Sequence, residues 1–245
     1  MMKHLLLVLT IFFALFSEAQ ILLEEGEPVN QKPVKEIKQS ENTGQTAVYA
    51  ISNWSKTFRT LESNTGYFGD TLGTRADETL IQNWSFGLGL RNRINRFLVW
   101  DGGMYFSRNG EQYAFVGTDT TFAYQTTYSY IGMPVRINLS MGKDIQWHIG
   151  AGLLPQMFVQ YTQKQQWTTT LNSSDSQEIK TNSGYNSFVI SAMFNAGVQF
   201  NFASGWGVII SPELRIQLNS SYQKQAAYIH KARAYGVSFG LIKNI

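Results

Sequence analysis

Six polar side chains stand out by their surroundings. Arg91, Asp101, Arg136, His148, Glu213 and Arg215 each sit in a stretch where apolar residues alternate with small or polar ones, and each falls on the non-apolar phase. Carboxylates, guanidiniums and an imidazole on that phase suggest three kinds of chemistry. Asp101 and Glu213 could share general acid and base work, which needs two acids with separated pKa values and an open cleft. His148 could activate a nucleophile or ligate a metal. The set could also run no reaction and form a closed network of ion pairs and hydrogen bonds, because buried charges are costly unless paired or wet.

Most of the catalytic options fail on inventory. The chain has no cysteine, which removes thiolate nucleophiles, thiolate metal sites and disulfides. Its histidines are His4, His148 and His230, and no HExxH occurs. The glycine runs Gly87-Leu88-Gly89, Gly150-Ala151-Gly152 and Gly236 to Gly240 lie inside alternating stretches. There a glycine relieves crowding rather than cradling a phosphate. No catalytic residue, cofactor or metal is therefore expected, and the chain reads as a non-enzyme. The net charge is only +3, with basic residues spread out, so no nucleic-acid partner is expected.

The elements that must position these residues are strands. Ile131, Met133, Val135, Ile137, Leu139 and Met141 form one phase, against Tyr130, Gly132, Pro134, Arg136, Asn138 and Ser140. Period-two alternation means extended strand. The pattern recurs over Leu80 to Arg91, Phe97 to Phe106, Ile145 to Tyr161, Phe188 to Phe202, Trp206 to Leu218 and Tyr228 to Ile242. Soluble strands average about five or six residues, whereas strands near ten, apolar on one face and polar or glycine-rich on the other, suit a barrel in lipid. Long connections at Leu61 to Thr79, Ser107 to Thr127, Thr162 to Tyr185 and Asn219 to Ala227 take turns with short ones at Asn92 to Asn95, Gly142 to Asp144 and Ala203 to Gly205. Short turns belong to the periplasmic side and long loops to the outside. With both termini periplasmic the strand number is even, so Ala47 to Thr60, whose alternation is weak, supplies a first strand. The fold expected is all-β, an eight-stranded antiparallel transmembrane barrel.

Aromatic side chains add two expectations. Trp147, Phe200, Phe202, Trp206 and Phe239 fall near periplasmic strand ends, and Tyr128, Tyr161 and Phe188 near outer ends, as two interfacial girdles would require. Tyr113, Phe115, Phe122, Tyr124 and Trp167 dot the Thr- and Gln-rich outer segments and are the external binding candidates. Tyr113, Phe115, Phe122, Tyr124 and Tyr128 also suggest that the third and fourth strands continue above the membrane as a protruding sheet.

The N-terminal part reads differently. Residues 1–19 form an export signal, with Lys3, an apolar Leu5 to Phe16 and Ser17-Glu18-Ala19 before Gln20. Residues 20–46 are rich in Glu and Lys and lack aromatics, which predicts a flexible periplasmic tail. Residues 47–245 form the barrel.

Export signal, Gln20 start, Tyr130-Ile131-Gly132-Met133-Pro134-Val135-Arg136, Gly150-Ala151-Gly152 and Gly236-Val237-Ser238-Phe239-Gly240 together resemble the small outer-membrane β-barrel proteins of Bacteroidota, an outer membrane protein beta-barrel domain family. The resemblance spans Ala47 to Ile245 and implies a Gram-negative outer membrane. It departs at the end, Asn244-Ile245, where such barrels carry an aromatic residue. Barrel deacylases of lipid A place a serine two positions from the histidine. Here Gly150 and Ala232 stand there, although Ser211 could approach His148 from another strand. The reading that follows is an envelope or surface binding or accessory protein. Its expected partners are outer-membrane lipid, lipopolysaccharide and a protein at the external loops or residues 20–46. A narrow pore through the charged lumen is the alternative, and a lipid-modifying barrel enzyme a third reading.

Overall fold

A computed structural model describes residues 45–64, 78–117, 120–168 and 174–245. The expected export signal and all but the last two residues of the expected tail lie outside the described residues.

Ten strands follow one another: β1 (Thr46–Ser63), β2 (Thr79–Arg93), β3 (Leu98–Val116), β4 (Thr121–Gly132), β5 (Val135–Gly142), β6 (Ile145–Thr168), β7 (Ser174–Thr181), β8 (Phe188–Asn201), β9 (Trp206–Gln217) and β10 (Tyr228–Asn244). Every pairing is antiparallel, and β1 pairs both β2 and β10, so the sheet closes on itself. Closure leaves no bare ladder edge in the wall, which a strand structure in lipid requires. Eight wall positions result, because β4 and β5 are two halves of one strand and β7 stands outside the ring, paired only with β6. Pro134 accounts for the division. It has no N–H for the ladder, and the adjacent Met133 N–H donates instead to the Pro155 carbonyl at 3.0 Å.

The first strand hid its alternation for a reason visible in its neighbours. Ala47, Tyr49 and Ile51 point inward and join Tyr105, Leu154, Met193, Ile209 and Ile242 in an apolar cluster that fills one level of the interior. Both faces of β1 are therefore apolar there, and period two fades from the sequence. Small residues make room for this filling. A methyl on Gly150 would run into the side chains of Asn138 and Asn195.

The outward face carries an apolar belt that includes Leu88, Met104, Ile137, Ile149, Phe194 and Leu241, all exposed. At the end away from the termini, the outward positions change to Lys56, Gln82, Arg108 and Arg233, which close the belt. The girdle reading is corrected at two residues. Phe188 does face outward at the belt's edge, 50% exposed, but Tyr128 is 1% exposed and points inward, and Tyr161 meets it ring to edge at 5.5 Å. Tyr128 shares the phase of inward Tyr130. Tyr161 changed sides because Val159 is an extra residue in β6: Tyr130 opposes Phe158, whereas Ser129 opposes Gln160. One inserted residue sends everything after it to the other face.

Above the belt β3, β4 and β6 continue, and β7 folds back on β6. They form a four-stranded blade whose register aligns Phe115, Phe122, Trp167 and Asp175 in one row and Tyr113, Tyr124, Gln165 and Gln177 in the next. The segments read as long loops, 107–127 and 162–185, are thus mostly strand.

Candidate functional site

Inside the belt, five of the six singled-out residues meet. Arg91 grips Asp101 with two bonds, Nε to Oδ1 at 2.7 Å and Nη2 to Oδ2 at 2.8 Å. Arg136 sits between the acids, 3.4 Å from Asp101 and 3.5 Å from Glu213, and Arg215 lies 3.5 Å from Glu213 on the far side. Neutral donors add to both carboxylates, Asn138 to Asp101 at 3.0 Å and Ser238 to Glu213 Oε2 at 3.2 Å. Arg215 also rests 5.5 Å from the centre of the Tyr105 ring. Alternation produces this arrangement, because one inward residue from each of β2, β3 and β5 and two from β9, Glu213 and Arg215, come together. Each acid is held between two guanidiniums, Asp101 between Arg91 and Arg136 and Glu213 between Arg136 and Arg215.

His148 stands apart from the ion pairs. Its Nε2 lies 3.3 Å from Ser211 Oγ, so the serine does approach it from another strand. The hydroxyl donates to the Ala196 carbonyl at 3.1 Å. The Pro212 carbonyl lies 3.4 Å from the same hydroxyl, and the tautomer of the imidazole sets which partner donates across the His148–Ser211 contact.

A second polar cluster, which the sequence reading did not single out, lies above the belt. Arg59 makes a two-pronged bond to Glu78, with Nε to Oε2 at 2.7 Å, and reaches Glu111 at 3.5 Å and the Tyr222 hydroxyl at 3.0 Å. Tyr128 donates to Glu111 at 3.2 Å. His230 is fully buried, with the rings of Tyr128 and Tyr222 each 4.8 Å away. Burial raises the Glu111 carboxyl to about 7, with Arg59 opposing and Glu78 adding to the rise. Burial lowers His230 to about 3, and Arg59 adds to that. The β1–β2 ladder stops at Thr57 opposite Ile81, and a cleft of about 500 Å³ opens beside it, lined by Phe58, Arg59, Glu78, Leu80, Glu111 and Tyr235. Glu111 was legible as an inward residue two positions before Tyr113. Arg59 and Glu78 flank a connection and carry no such signal.

All five external binding candidates lie on one face of the blade. Tyr113 and Tyr124 stack at 5.3 Å between centroids, and Phe122 lies 6.4 Å from Tyr113 and 6.0 Å from Tyr124. Phe115 and Trp167 flank Phe122 in the register. Tyr124 is buried and donates its hydroxyl to Glu78, while Phe115 is 49% exposed. The opposite face carries Ala114, Ala123, Lys164, Gln166, Ser176 and Glu178 instead. Rings of this kind offer large contact area at small entropic cost.

Neither a family model nor a curated protein matches the chain. Among solved structures it is similar to Neisserial surface protein A, at 12% identity, covering 82% of this chain and 97% of that one, with a TM-score of 0.41. It is also similar to the outer membrane protein OprG of Pseudomonas aeruginosa, at 8% identity over 83% and 96% of the two chains, TM-score 0.43. A third is Ail, the attachment invasion locus protein of Yersinia pestis, in complex with the heparin analogue sucrose octasulfate, at 14% identity over 82% and 99%, TM-score 0.36.

Proposed function

We propose that this chain is an integral outer-membrane barrel, with its short turns and both termini periplasmic, that acts without enzymatic chemistry as a surface binding or accessory protein. The blade is its working part. One observation carries this reading: Phe115, Phe122 and Trp167, from three strands, line up in a single row above a membrane section whose interior charges are enclosed by their own partners. The barrel serves as anchor and holds the blade outside, where a component of the envelope or its surroundings docks. Lipid and lipopolysaccharide surround the belt, and residues 20–46 offer a periplasmic contact.

Cross-linking in native membranes, followed by affinity capture and mass spectrometry, tests it. One stoichiometric partner that disappears in the Phe115→Ala/Trp167→Ala variant is the expected result. A partner retained by that variant and lost on removing residues 20–46 would move the working surface to the tail. The pore reading rests on the charged residues of the lumen. Steady conductance in planar bilayers, changed by Arg136→Ala or Glu213→Ala, would select it. The Ser211–His148 contact is the observation behind the enzyme reading, and lipid A turnover lost in His148→Ala would select that one.

A further inference from the structure

The blade's aromatic face carries chemistry that narrows what docks on it. Below the row of Phe115, Phe122 and Trp167, Gln165 and Gln177 share a rung with Tyr113 and Tyr124, and Gln163 lies one rung lower on the same face. Gln165 donates to Gln163 at 2.6 Å, and Gln163 donates to the Thr126 hydroxyl at 3.2 Å. The bonds run in one direction across β6 and β4, so each amide is held in a fixed orientation. The chain of donors begins at Gln165, two residues from Trp167 along β6 and on the same face. Gln177, exposed on β7, stands opposite Gln165 in the register and widens the amide strip.

Charge sets the second constraint. The face holds Asp175 at its upper corner and Glu111, paired with Arg59, at its base, and among the described residues no lysine or arginine appears on either of its two upper rows. Lys164 and Lys180 sit on the reverse side. A polyanion is therefore disfavoured, because recognition of sulfate or phosphate calls for arginine or lysine. A purely apolar peptide is disfavoured too, since it would strip water from oriented amides and return no hydrogen bonds. The ligand that satisfies both rows has an apolar face to lie on an indole and a rim of neutral hydroxyls that donate and accept. A pyranose ring is built this way.

We propose that the strip formed by Trp167, Gln165, Gln163 and Gln177 binds a neutral oligosaccharide, with a sugar ring stacked on Trp167 and its hydroxyls on the Gln165 and Gln177 amides. This rests on the reading of the blade as the working surface and names its ligand class. Preorganised amides lose little entropy on binding, and removing a bonding partner leaves the ligand's own groups unpaired, which is the main source of discrimination.

The full chain in nanodiscs is applied to an array of neutral, sialylated and sulfated glycans, and affinities for the hits are measured by titration calorimetry. Neutral glycans bind. Trp167→Ala and Gln165→Glu each weaken them at least tenfold, and Lys164→Ala on the reverse face changes them less than twofold. Gln165→Glu keeps the side chain's shape, so a loss there is not a folding defect, and resistance of the folded band to unheated electrophoresis confirms folding of all three. Sulfated or sialylated glycans binding as well as neutral ones would overturn the proposal, as would an array without a neutral hit or equal binding by Gln165→Glu. If the array fails while Phe115→Ala/Trp167→Ala still loses its cross-linked partner, the ligand class is wrong and the blade remains the working surface. If that partner persists, the blade reading itself fails.

Discussion

The same three strands behave in opposite ways at two heights. Within the belt β3, β4 and β6 turn Trp100, Phe106, Ile131 and Trp147 outward and keep Asp101, Ser107 and His148 inside. Above it they turn Tyr113, Phe115, Tyr124, Phe122 and Trp167 inward and show Ala114, Gln166 and Lys164 to the outside. Lipid explains the first arrangement, because it solvates rings and rejects charge. In water the rings gather on one face and the polar groups take the other. The inversion marks the level at which the surrounding solvent changes. It also separates two kinds of polar group: those that must be paired because nothing else can solvate them, and those that can exchange water for a ligand.

The largest break in this comparison comes from the interior network. Asp101→Asn keeps the side chain's size and removes the partner of Arg91 and half that of Arg136. Removing one member of a buried pair costs about 3–5 kcal/mol, because the remaining charge stays desolvated. Urea unfolding in detergent should show a loss of that size, and a loss under about 1 kcal/mol would mean that water already reaches the network.

The second break sets the two solvents side by side. Ile137 is exposed on β5 within the belt and paired across the wall with Trp100 and Ala151. Arginine there costs about 2–4 kcal/mol, the penalty for a basic residue on a barrel's lipid face. Phe115 has similar exposure above the belt, and arginine there costs about 0.5 kcal/mol or less. Folding both variants into vesicles and comparing unfolding midpoints checks the pair, and equal losses would place the blade's upper row inside the membrane.

How much of this was readable beforehand follows from the solvents. Lipid imposes apolar residues on the outward phase, so strands with a polar or small inward phase, Leu80 to Arg91 and Tyr228 to Ile242, declared themselves. The inward phase of Arg91, Arg136 and Glu213 did too, whereas β1, apolar on both faces, did not. Where lipid ends, so does the rule. Val159 interrupts β6 with no mark in its residue type, and that one insertion decides that Tyr161, Gln163, Gln165 and Trp167 face inward. The aromatics themselves were visible as a group, since their abundance in polar segments needs some account. Their shared face depended on the bulge. Arg59 and Glu78 meet just beyond the last β1–β2 rung, Thr57 opposite Ile81, and no local pattern relates residues on either side of a connection.

The upper cluster gives a finer test through pH. Glu111, raised to about 7, faces Arg59 from β1, Glu78 beside β2, and Thr126, Tyr128 and Tyr222. The folded chain holds this proton between pH 4.5 and about 7, where the unfolded chain has released it. The stability it contributes is complete below pH 4.5 and is lost as pH rises to about 7. His230, lowered from 6.5 to about 3, has the opposite sign: the unfolded chain gains its proton first, and stability falls as pH drops below 6.5. The two slopes oppose each other between pH 4.5 and 6.5, leaving the native protein nearly flat there. Glu111→Gln should uncover a stability that falls toward acid, and His230→Phe one that rises toward acid, each by about 1–3 kcal/mol. Urea midpoints at three pH values read both, and slopes of the same sign would show that one group does not titrate as its burial requires.

The smallest effect tests the reverse face of the blade. Lys180 and Glu178 approach to 3.0 Å on the outer side of β7, with side chains 52% and 42% exposed. In water such a pair contributes about 0–0.5 kcal/mol, since the ions lose little by separating and are screened by salt. Lys180→Ala should leave the unfolding midpoint of purified protein within that margin. The same substitution measured in native membranes then becomes informative. A change several times larger there than in the purified protein would mean that a neighbour covers this face in the cell, and the blade would have two contact surfaces. Equal, small changes in both settings leave the aromatic face as the side that meets a ligand, and the reverse side as the one that meets only solvent.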